Sequence, residues 1–394
     1  MPKDSLASDN SSPRRQKAAE RTGVNLLRYM LDHPNSTCRA AADDLGMSFP
    51  NVCRLVSEFK ANSILLDGEY RQTGRRGPWS QAVMLRPELG CTIGVDLEAT
   101  HVRGLVLDFA GNAATVVRKP IVGTSGLDEI VSSVAGVAGE LVAAARGRKL
   151  EVYAVGLGLP GPVVDVAMGR VRTHFQMGEV TVEFAPVAEL ACGMRVVCSP
   201  NSYCFAAGHH RIHHARETGI EMLVLNRFGL AATIVWDGRL YTGASHYAGD
   251  LGLLHCGTGA PGLRYKDVCT GSALLALARR RNETRSFQEL LQSPNDPLVE
   301  EWLRDAIPAF AQAIYAAVIA YNPDRVVIEG IFNKFPEDVR RRVIDTVDSE
   351  IAHSSNMVPP IGFFEGDDLM GARGAALLAR DTVADEVLAD LVRG

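Results

Sequence analysis

The N-terminal part of the chain contains segments in which apolar residues recur at helical spacing. Residues 1–20 are polar, rich in Ser, Asp and Arg, and lack such a period, which predicts a disordered basic tail. From Arg21 the apolar positions follow a helical period until a His-Pro-Asn breaker, which predicts a first helix. A second helix is expected to have Ser36 or Thr37 as its cap and to run through Leu45.

The third helix and the segment after it have the pattern of a winged helix-turn-helix. Gly46 supplies the turn, Ser48 caps the third helix, and Pro50 falls in its first turn. The predicted inner face of this helix consists of Val52, Leu55, Val56 and Phe59. A strand, a loop rich in Gly and Arg, and a returning strand are expected to follow as a wing. We therefore assign residues 21–87 to a winged helix-turn-helix domain.

From Cys91 onward, short β-branched runs alternate with longer helical patterns, which is typical of an α/β protein. Residues 91–112, 152–165 and 221–241 each predict strands joined by a turn. A long amphipathic helix is expected at 299–322, followed by another strand. No internal repeat with a period of about 20–50 residues is visible.

The composition of the 394-residue chain is ordinary, but its charge is unevenly distributed. No apolar run reaches the roughly 20 residues of a membrane helix and the N-terminus lacks the apolar core of a signal peptide, so we expect a cytoplasmic protein without a membrane partner. The eight cysteines lack paired spacing, which favours reduced thiols. Residues 1–80 carry 12 Lys and Arg against 9 Asp and Glu, and the remainder carries 29 against 37. A basic end on an acidic body suits contact with a polyanion at one end.

Side chains suited to DNA lie at the start of the third helix. In a helix-turn-helix this region enters the major groove. The predicted contacts are Ser48, Phe49, Asn51 and Arg54 on the helix and Arg75 and Arg76 at the wing tip. Asn can bond adenine and Arg can bond guanine, and wing arginines suit a phosphate or a narrow minor groove. The sequence thus predicts a double-stranded DNA operator as partner, with a small helical bundle whose Arg and Asn are merely solvated as the alternative.

Several motifs of the body stand in an order found in a known family. They are GVDLEATHVRGLVLDFAGN, GLGLPGPVVD, GASHYAGDLG, NPDRVVIEG and GDDLMGARGAALLA. With the wing, they resemble the ROK family of repressors and sugar kinases over about residues 21–380. The resemblance implies an α/β, actin-like or hexokinase-like ROK domain at 88–394. Its two subdomains are expected at 88–200 plus 376–394 and at 201–375. The resemblance also implies a homodimer and a sugar or phosphosugar effector in the cleft.

The segments that would hold ATP depart from the pattern of the family's kinases. The first phosphate loop, D-x-G-G-T, falls on 96–100, where Glu98 places a negative charge in the phosphate position. The second loop, G-T-G-x-G-x-G, falls on 227–233 and keeps one glycine. Asn201 replaces the family's catalytic Asp, and its amide can bond a hydroxyl but cannot deprotonate it. We therefore expect no enzymatic activity and no cofactor.

The zinc module and the sugar contacts of the family are altered in parallel. Leu253 stands at the position of the zinc-binding His, and Cys256 and Cys269 do not fit the spacing of the family's cysteines, so we expect no metal there. The expected effector contacts that remain are Gly161, Asn201 and Asp250.

Four histidines lie close together on one predicted helix. They are His209, His210, His213 and His214. They form two i, i+4 pairs, the spacing by which imidazoles can share a metal. No Cys or carboxylate stands at a matching local spacing, so we expect solvated side chains and no bound metal.

Together these patterns predict a DNA-binding transcriptional repressor. Its kinase-like domain is expected to be inactive, to sense a sugar or related small molecule and to mediate dimerisation. Two alternatives stay open. An active ROK sugar kinase with an appended DNA-binding domain would need another base, such as Asp96 or Asp250. A ligand-independent DNA-binding protein is compatible with the altered pocket.

Overall fold

The structure is a computed structural model, and its first helix begins earlier than the apolar period predicted. The residues it describes are 13–72, 79–98, 100–121, 126–161, 163–165, 169–175, 178–215, 217–257, 262–352 and 358–394. Helix α1 (Pro13–Asp32) begins inside the segment expected to be a disordered tail. Its first turns consist of Arg, Gln, Lys and Ala, which favour a helix without an apolar period. Glu20 also pairs with Arg393 at 2.8 Å near the other end of the chain.

The N-terminal unit consists of helices packed on a three-stranded antiparallel sheet. After α1 it contains β1 (Ser36–Thr37), α2 (Cys38–Leu45), α3 (Phe49–Ala61), β2 (Leu65–Gln72) and β3 (Trp79–Leu85), with strand order β1-β3-β2. Thr37 caps α2 by accepting a hydrogen bond from the amide of Ala40 at 3.2 Å. Gly46 follows in the left-handed conformation, with φ of 63°. The predicted inner face of α3 is confirmed, because Val52, Leu55, Val56 and Phe59 are all buried.

The first lobe of the body is built on a five-stranded sheet. Its elements are β4 (Cys91–Leu97), β5 (His101–Asp108), β6 (Ala113–Pro120), α4 (Leu127–Gly147), β7 (Val152–Leu159), β8 (Val163–Asp165), β9 (Arg170–Phe175), β10 (Gly178–Glu183), α5 (Ala185–Cys192) and β11 (Val196–Pro200). The strand order is β11-β7-β4-β5-β6, in which β4, β5 and β6 form an antiparallel meander and β7 and β11 run parallel to β4. The predicted β4–β5 hairpin is confirmed. The strands expected at 152–165 are present, but β8 belongs to a separate small sheet with β9 and β10.

The second lobe repeats this sheet. Its elements are α6 (Asn201–His213), β12 (Ile220–Asn226), β13 (Leu230–Trp236), β14 (Arg239–Tyr241), α7 (Gly271–Arg280), α8 (Phe287–Leu291), α9 (Pro297–Tyr321), β15 (Arg325–Gly330), α10 (Glu337–Ala352) and β16 (Ile361–Phe363). The strand order β14-β13-β12-β15-β16 again combines an antiparallel meander with two parallel strands. Each lobe has its own hydrophobic core.

Helix α11 (Met370–Arg393) returns the chain from the second lobe to the first. The predicted subdomain boundary at 376 therefore falls inside a helix. The α11 backbone lies directly against its neighbours, since a Cβ at Gly94 would lie 1.8 Å from the carbonyl oxygen of Ala372. A Cβ at Gly374 would lie 1.6 Å from a backbone oxygen of α6. Only glycine permits such an approach.

The N-terminal unit shares a hydrophobic core with α11. The buried set includes Leu27 and Met30 of α1 and Ala379, Val383 and Leu388 of α11. Phe109, at the turn after β5, belongs to the same cluster. The unit is thus packed against the body rather than tethered to it by a linker.

A group of charged side chains reinforces this contact at the end of α1. Arg380 on α11 is 2% exposed and donates hydrogen bonds to the carbonyl oxygen of Leu31 and to Asp32, both at 3.1 Å. Arg211 on α6 also pairs with Asp32, and with Asp381 at 3.4 Å. Burial and the nearby Arg211 lower the pKa of Arg380 to about 10. This Asp32 cluster, comprising Asp32, Arg211, Arg380 and Asp381, joins α1, α6 and α11.

Among the described residues, two helices are long and apolar enough to cross a membrane by length and composition alone. They are α4, with a mean hydropathy of 1.3, and α9, with 1.2. Neither is an uninterrupted apolar run, since α4 contains Glu140 and α9 contains Arg304 and Asp305. Both helices contribute many buried residues to the lobe cores, and core helices satisfy the same test.

Replacing Arg380 with Ala should destabilise the protein by about 3–5 kcal/mol. The change leaves Asp32 with fewer cationic partners and removes the donor to the carbonyl of Leu31. Urea unfolding followed by circular dichroism measures the loss. Arg341→Ala is the matched control, because Arg341 is 68% exposed and lies 3.8 Å from Glu337. Equal losses in the two variants would contradict the role assigned to the Asp32 cluster.

Candidate functional site

The α3 residues predicted to contact DNA lie together on an exposed surface. Ser48 precedes the helix, Phe49 begins it, and both are exposed. The guanidinium of Arg54 donates to Asn51 Oδ1 at 3.2 Å and to Glu58 at 3.0 Å. These contacts hold the two side chains expected to read bases next to each other.

A further cation on this surface was missed by the sequence analysis. Arg39 on α2 lies over the ring of Phe49, with its guanidinium carbon 4.4 Å from the ring centroid. Its side chain is 56% exposed. A basic residue outside the apolar positions of α2 was the signal available in the sequence. Arg75 and Arg76 lie outside the described residues.

Charged side chains from both lobes meet in the cleft, where the two phosphate loops were expected. Asp96 lies on β4, Glu98 follows that strand, and Arg227 lies in the β12–β13 turn of the second lobe. Arg227 Nη1 is 2.5 Å from Glu98 Oε1 and 3.7 Å from Asp96 Oδ2, while its Nε is 2.8 Å from Glu329 Oε2. In this Arg227 network of Asp96, Glu98, Arg227 and Glu329, one guanidinium joins carboxylates of both lobes.

The loss of glycine at Arg227 is evident from the sequence, but its pairing with carboxylates of both lobes is not. The signal in the sequence was an acidic residue, Glu98, in one expected phosphate loop and a basic residue, Arg227, in the other. A second arginine continues the pairing, because Arg103 on β5 contacts Glu98 and lies 3.0 Å from Asp368. Asp368 stands just before α11, so the charged groups extend from the cleft to the start of that helix.

The carboxylate of Asp96 is enclosed at the base of the cleft. Asp96 is 1% exposed, and neither of its carboxylate oxygens has a hydrogen-bond partner among the described residues. Burial and the charge of Glu98 raise its pKa to about 7, although Arg227 opposes the change. A Cβ at Gly371 would lie 2.3 Å from Asp96 Oδ2. The first turn of α11 therefore closes over this carboxyl group.

The structure brings the predicted effector contacts to the same region without joining them directly. Gly161 and Asn201 follow the neighbouring parallel strands β7 and β11 at the same sheet edge. Asp250 comes from the second lobe, and burial raises its pKa. Tyr203, on the same helix as Asn201, contacts the segment that contains Asp250, since its hydroxyl lies 3.4 Å from the carbonyl oxygen of Ala248. Burial, followed by the charge of Asp250, raises the pKa of Tyr203 to about 12.

Helix α6 connects this cleft with the Asp32 cluster. Asn201 is its first residue, and Arg211 lies about 15 Å further along the helix axis. One helix therefore contacts both the cleft and the end of α1.

The segment that replaces the family's zinc module folds back on itself. The amide of Cys256 donates to the carbonyl oxygen of Leu263 at 2.8 Å. Cys269 is buried, which raises the pKa of its thiol. Residues 258–261 lie outside the described ranges.

The four histidines at 209–214 were expected to be solvated, but two of them are buried. His209 and His210 are only 6% and 8% exposed. Glu221 on β12 supplies the carboxylate that local spacing lacked, with Oε1 at 3.3 Å from His209 Nδ1 and Oε2 at 3.1 Å from His210 Nδ1. Burial alone would raise the pKa of Glu221, but the two histidines outweigh it and lower the pKa to about 2.

The lobes define the class of protein to which the chain belongs. Two lobes with the same five-stranded sheet order, separated by a cleft and joined by α11, constitute an actin-like mixed α/β fold. Residues 92–382 match the ROK family, and the chain belongs to that family.

Similar solved structures include both a sugar kinase and a regulator. The ROK hexokinase from Thermus thermophilus is 23% identical, with a TM-score of 0.59, and the match covers 75% of this chain and 99% of that one. A ROK family transcriptional regulator, a homolog of the E. coli MLC protein, is 15% identical with a TM-score of 0.67 and covers 96% and 100% of the two chains. The likeness to the regulator thus extends into the N-terminal unit.

A curated relative also spans most of the chain. The uncharacterized protein y4fQ of Sinorhizobium fredii is 23% identical over 319 residues, which cover 77% of this chain and 76% of its own length.

Replacing Asp96 with Asn should alter the pH dependence of stability in a defined direction. The pKa of Asp96 rises from an ordinary 3.8 to about 7 on folding. The native state therefore holds an extra proton between these values and loses stability as the pH rises through this window. We expect the free energy of unfolding to fall less between pH 5 and pH 8 in Asp96→Asn than in wild type, by roughly 1–3 kcal/mol.

Urea unfolding at both pH values measures this difference. Asp305→Asn is the control, since Asp305 is an exposed carboxylate on α9. Parallel pH profiles for wild type and Asp96→Asn would rule out the enclosed, protonated carboxyl group.

Proposed function

We propose that this protein is a transcriptional repressor whose ROK body does not transfer phosphate and instead senses a sugar or related small molecule. The Arg227 network carries the proposal. In the family's kinases the corresponding loops approach ATP phosphates, whereas here Arg227 lies between Glu98 and Glu329. An incoming phosphate would have to displace this guanidinium and would then meet carboxylates of the same charge.

The groups available as a base support the same conclusion. Asn201 cannot accept a proton at neutral pH. Asp96 is enclosed beneath Gly371, which leaves little space for a sugar hydroxyl beside it. The second candidate function is a ROK sugar kinase, favoured by the raised pKa of Asp96 and Asp250, since a base works best with a pKa near the operating pH.

The N-terminal unit, assigned here to residues 21–87, acts in this proposal as a winged helix-turn-helix. Helix α2, the Gly46 turn and α3 precede the β2–β3 hairpin in the order that this motif requires. The half-buried Asn51 and the exposed Arg54 lie on α3, the helix that would read base edges, and Arg39 adds positive charge beside Phe49 on the same surface. The shared fold with a ROK transcriptional regulator over 96% of the chain supports this assignment.

Helix α6 couples the two functions in this proposal. A small molecule held by Gly161, Asn201 and Asp250 would contact the start of α6. Arg211 near its other end pairs with Asp32 of α1. Effector binding would thus change the position of the DNA-binding unit. The size of this coupling depends on how much more tightly the effector binds one conformation of the protein than the other. We also propose that the protein is a homodimer, because each copy of a helix-turn-helix reads one half-site. Its proposed location is the cytoplasm.

Selection of bound genomic fragments by the full-length protein should yield one operator sequence, and the genes beside it would indicate the effector.

Arg54→Ala should cost about 1–3 kcal/mol in operator binding and relax the preference at one base pair. Arg75→Ala and Arg76→Ala should weaken binding uniformly and reduce its salt dependence. Arg341→Ala on α10 is the control. Absence of any enriched sequence, or unchanged preference in Arg54→Ala, would sink the DNA-binding assignment.

The purified protein should not transfer phosphate from ATP to a panel of hexoses, amino sugars and their derivatives. The Arg227 network stands in place of the phosphate contacts, and Asn201 stands in place of the base. Release of ADP in a coupled assay provides the measurement. Turnover that is lost in Asp96→Asn or Asp250→Asn would establish the kinase alternative instead.

A further inference from the structure

We propose that His209, His214 and Glu221 form a binding site for a divalent transition metal such as Zn²⁺. Two of these side chains lie at the end of α6 and the third lies on β12. Their donor atoms all lie within 4.8 Å of one another. The site is distinct from the segment that corresponds to the family's zinc module, and it does not depend on the function proposed above.

The distances between donor atoms fit a tetrahedral ion. Glu221 Oε1 is 3.3 Å from His209 Nδ1 and 3.5 Å from His214 Nε2. Two ligands bound to Zn²⁺ at about 2.0–2.1 Å with a tetrahedral angle stand about 3.3–3.4 Å apart. Two of the three separations therefore match without adjustment. The two histidine nitrogens lie within 4.8 Å of each other and would move closer on binding the ion.

Two of the three donor atoms are buried and lack hydrogen bonds among the described residues. The side chains of His209 and Glu221 are 7% and 5% exposed. Neither His209 Nδ1 nor Glu221 Oε1 has a hydrogen-bond partner in the part of the chain that the structure describes. A buried polar atom without a partner costs about 1–3 kcal/mol, so such atoms are rare in folded proteins. A cation between these two atoms would satisfy both.

Carboxylates lie near both ring nitrogens of His214. His214 directly follows α6 as its C-cap, with a non-helical φ of −136°. Its Nδ1 lies 2.9 Å from Glu217 Oε1, and its Nε2 lies towards Glu221. A carboxylate at the non-coordinating nitrogen is the usual partner of a metal-binding histidine. Arg325 Nη1 lies 2.8 Å from His214 Nδ1 and 3.3 Å from His214 Nε2, and its Nη2 pairs with Glu217. A metal bound at His214 Nε2 therefore requires this guanidinium to move away from the imidazole, and its pairing with Glu217 gives it a partner there.

A cavity of about 500 Å³ borders the site and leaves room for a fourth ligand. Its apolar lining includes Val326, Val327, Ile361, Phe363 and Phe364. His213 also lines the cavity, and its ring centroid is 4.8 Å from that of His209. The fourth ligand can therefore be His213, water or a small molecule that enters the cavity.

A metal at this position would join α6 to the central strand β12 of the second lobe. It would bind the folded chain and not the unfolded one, because its ligands come from two separate elements. Such binding raises apparent stability in proportion to the logarithm of the metal concentration above the dissociation constant. A shift in the unfolding midpoint is therefore a readout that needs no knowledge of the protein's activity.

The experiment titrates the full-length protein, freed of metal by a chelator, with Co²⁺ and with Zn²⁺. We expect a single Co²⁺ per chain, visible absorption of a tetrahedral ion with nitrogen and oxygen ligands, and a raised thermal midpoint. His214→Ala and Glu221→Gln should each weaken binding about tenfold or more, because each removes a ligand or its charge. His246→Ala is the control, since His246 is an exposed histidine outside the cluster.

Each result decides the proposal. Binding by wild type that both variants lose and His246→Ala keeps supports the site. Lack of binding by wild type, binding unchanged in His214→Ala, or a thiolate-to-cobalt absorption band that assigns the metal to cysteines would overturn it. The His214 side chain is 20% exposed, so His214→Ala decides the matter if the more buried Glu221→Gln fails to fold in the chelator.

Discussion

Helix α11 packs its backbone against β4, β7 and α6 at positions where glycine leaves no side chain between them. A Cβ at Gly94, Gly156 or Gly374 would lie 1.6–2.0 Å from a backbone oxygen. The later turns of the same helix bury Ala379 and Val383 against the N-terminal unit. One helix therefore defines the spacing of the first lobe, supports α6 at the cleft and positions α1. The contact of α11 with β4, β7 and α6 constrains any movement between the lobes, because closely packed backbones have few alternative arrangements.

A single arginine, Arg227, pairs with carboxylates from both lobes at the cleft. A phosphate-binding cleft presents backbone amides to an anion, whereas this one contains an arginine already paired with carboxylates of both lobes. The pairing joins the two lobes through their own side chains.

Helix α6 and the residue that follows it supply side chains to the cleft, to the Asp32 cluster and to the histidine site. Its first residue, Asn201, lies at the cleft, Arg211 reaches Asp32 of the N-terminal unit, and His209 and His214 meet Glu221 of the second lobe. The helix thus contacts three parts of the molecule within a single rigid element. A ligand at the cleft and a metal at the histidines would both act on its position, although they bind different side chains.

Apolar periodicity along the chain predicted the types of most elements and the inner faces of several. The buried face of α3, the β4–β5 hairpin and the long helix α9 follow from apolar periods, because a face that packs must repeat with its own helix or strand. The early start of α1 at Pro13 could not be predicted in this way, because the first turns of this helix have no apolar period. Only the tertiary structure placed Arg227 beside Glu98, and Glu221 beside His209. These pairs lie on separate elements, and their contact arises from how the two sheets and α6 pack, which spacing along the chain does not encode.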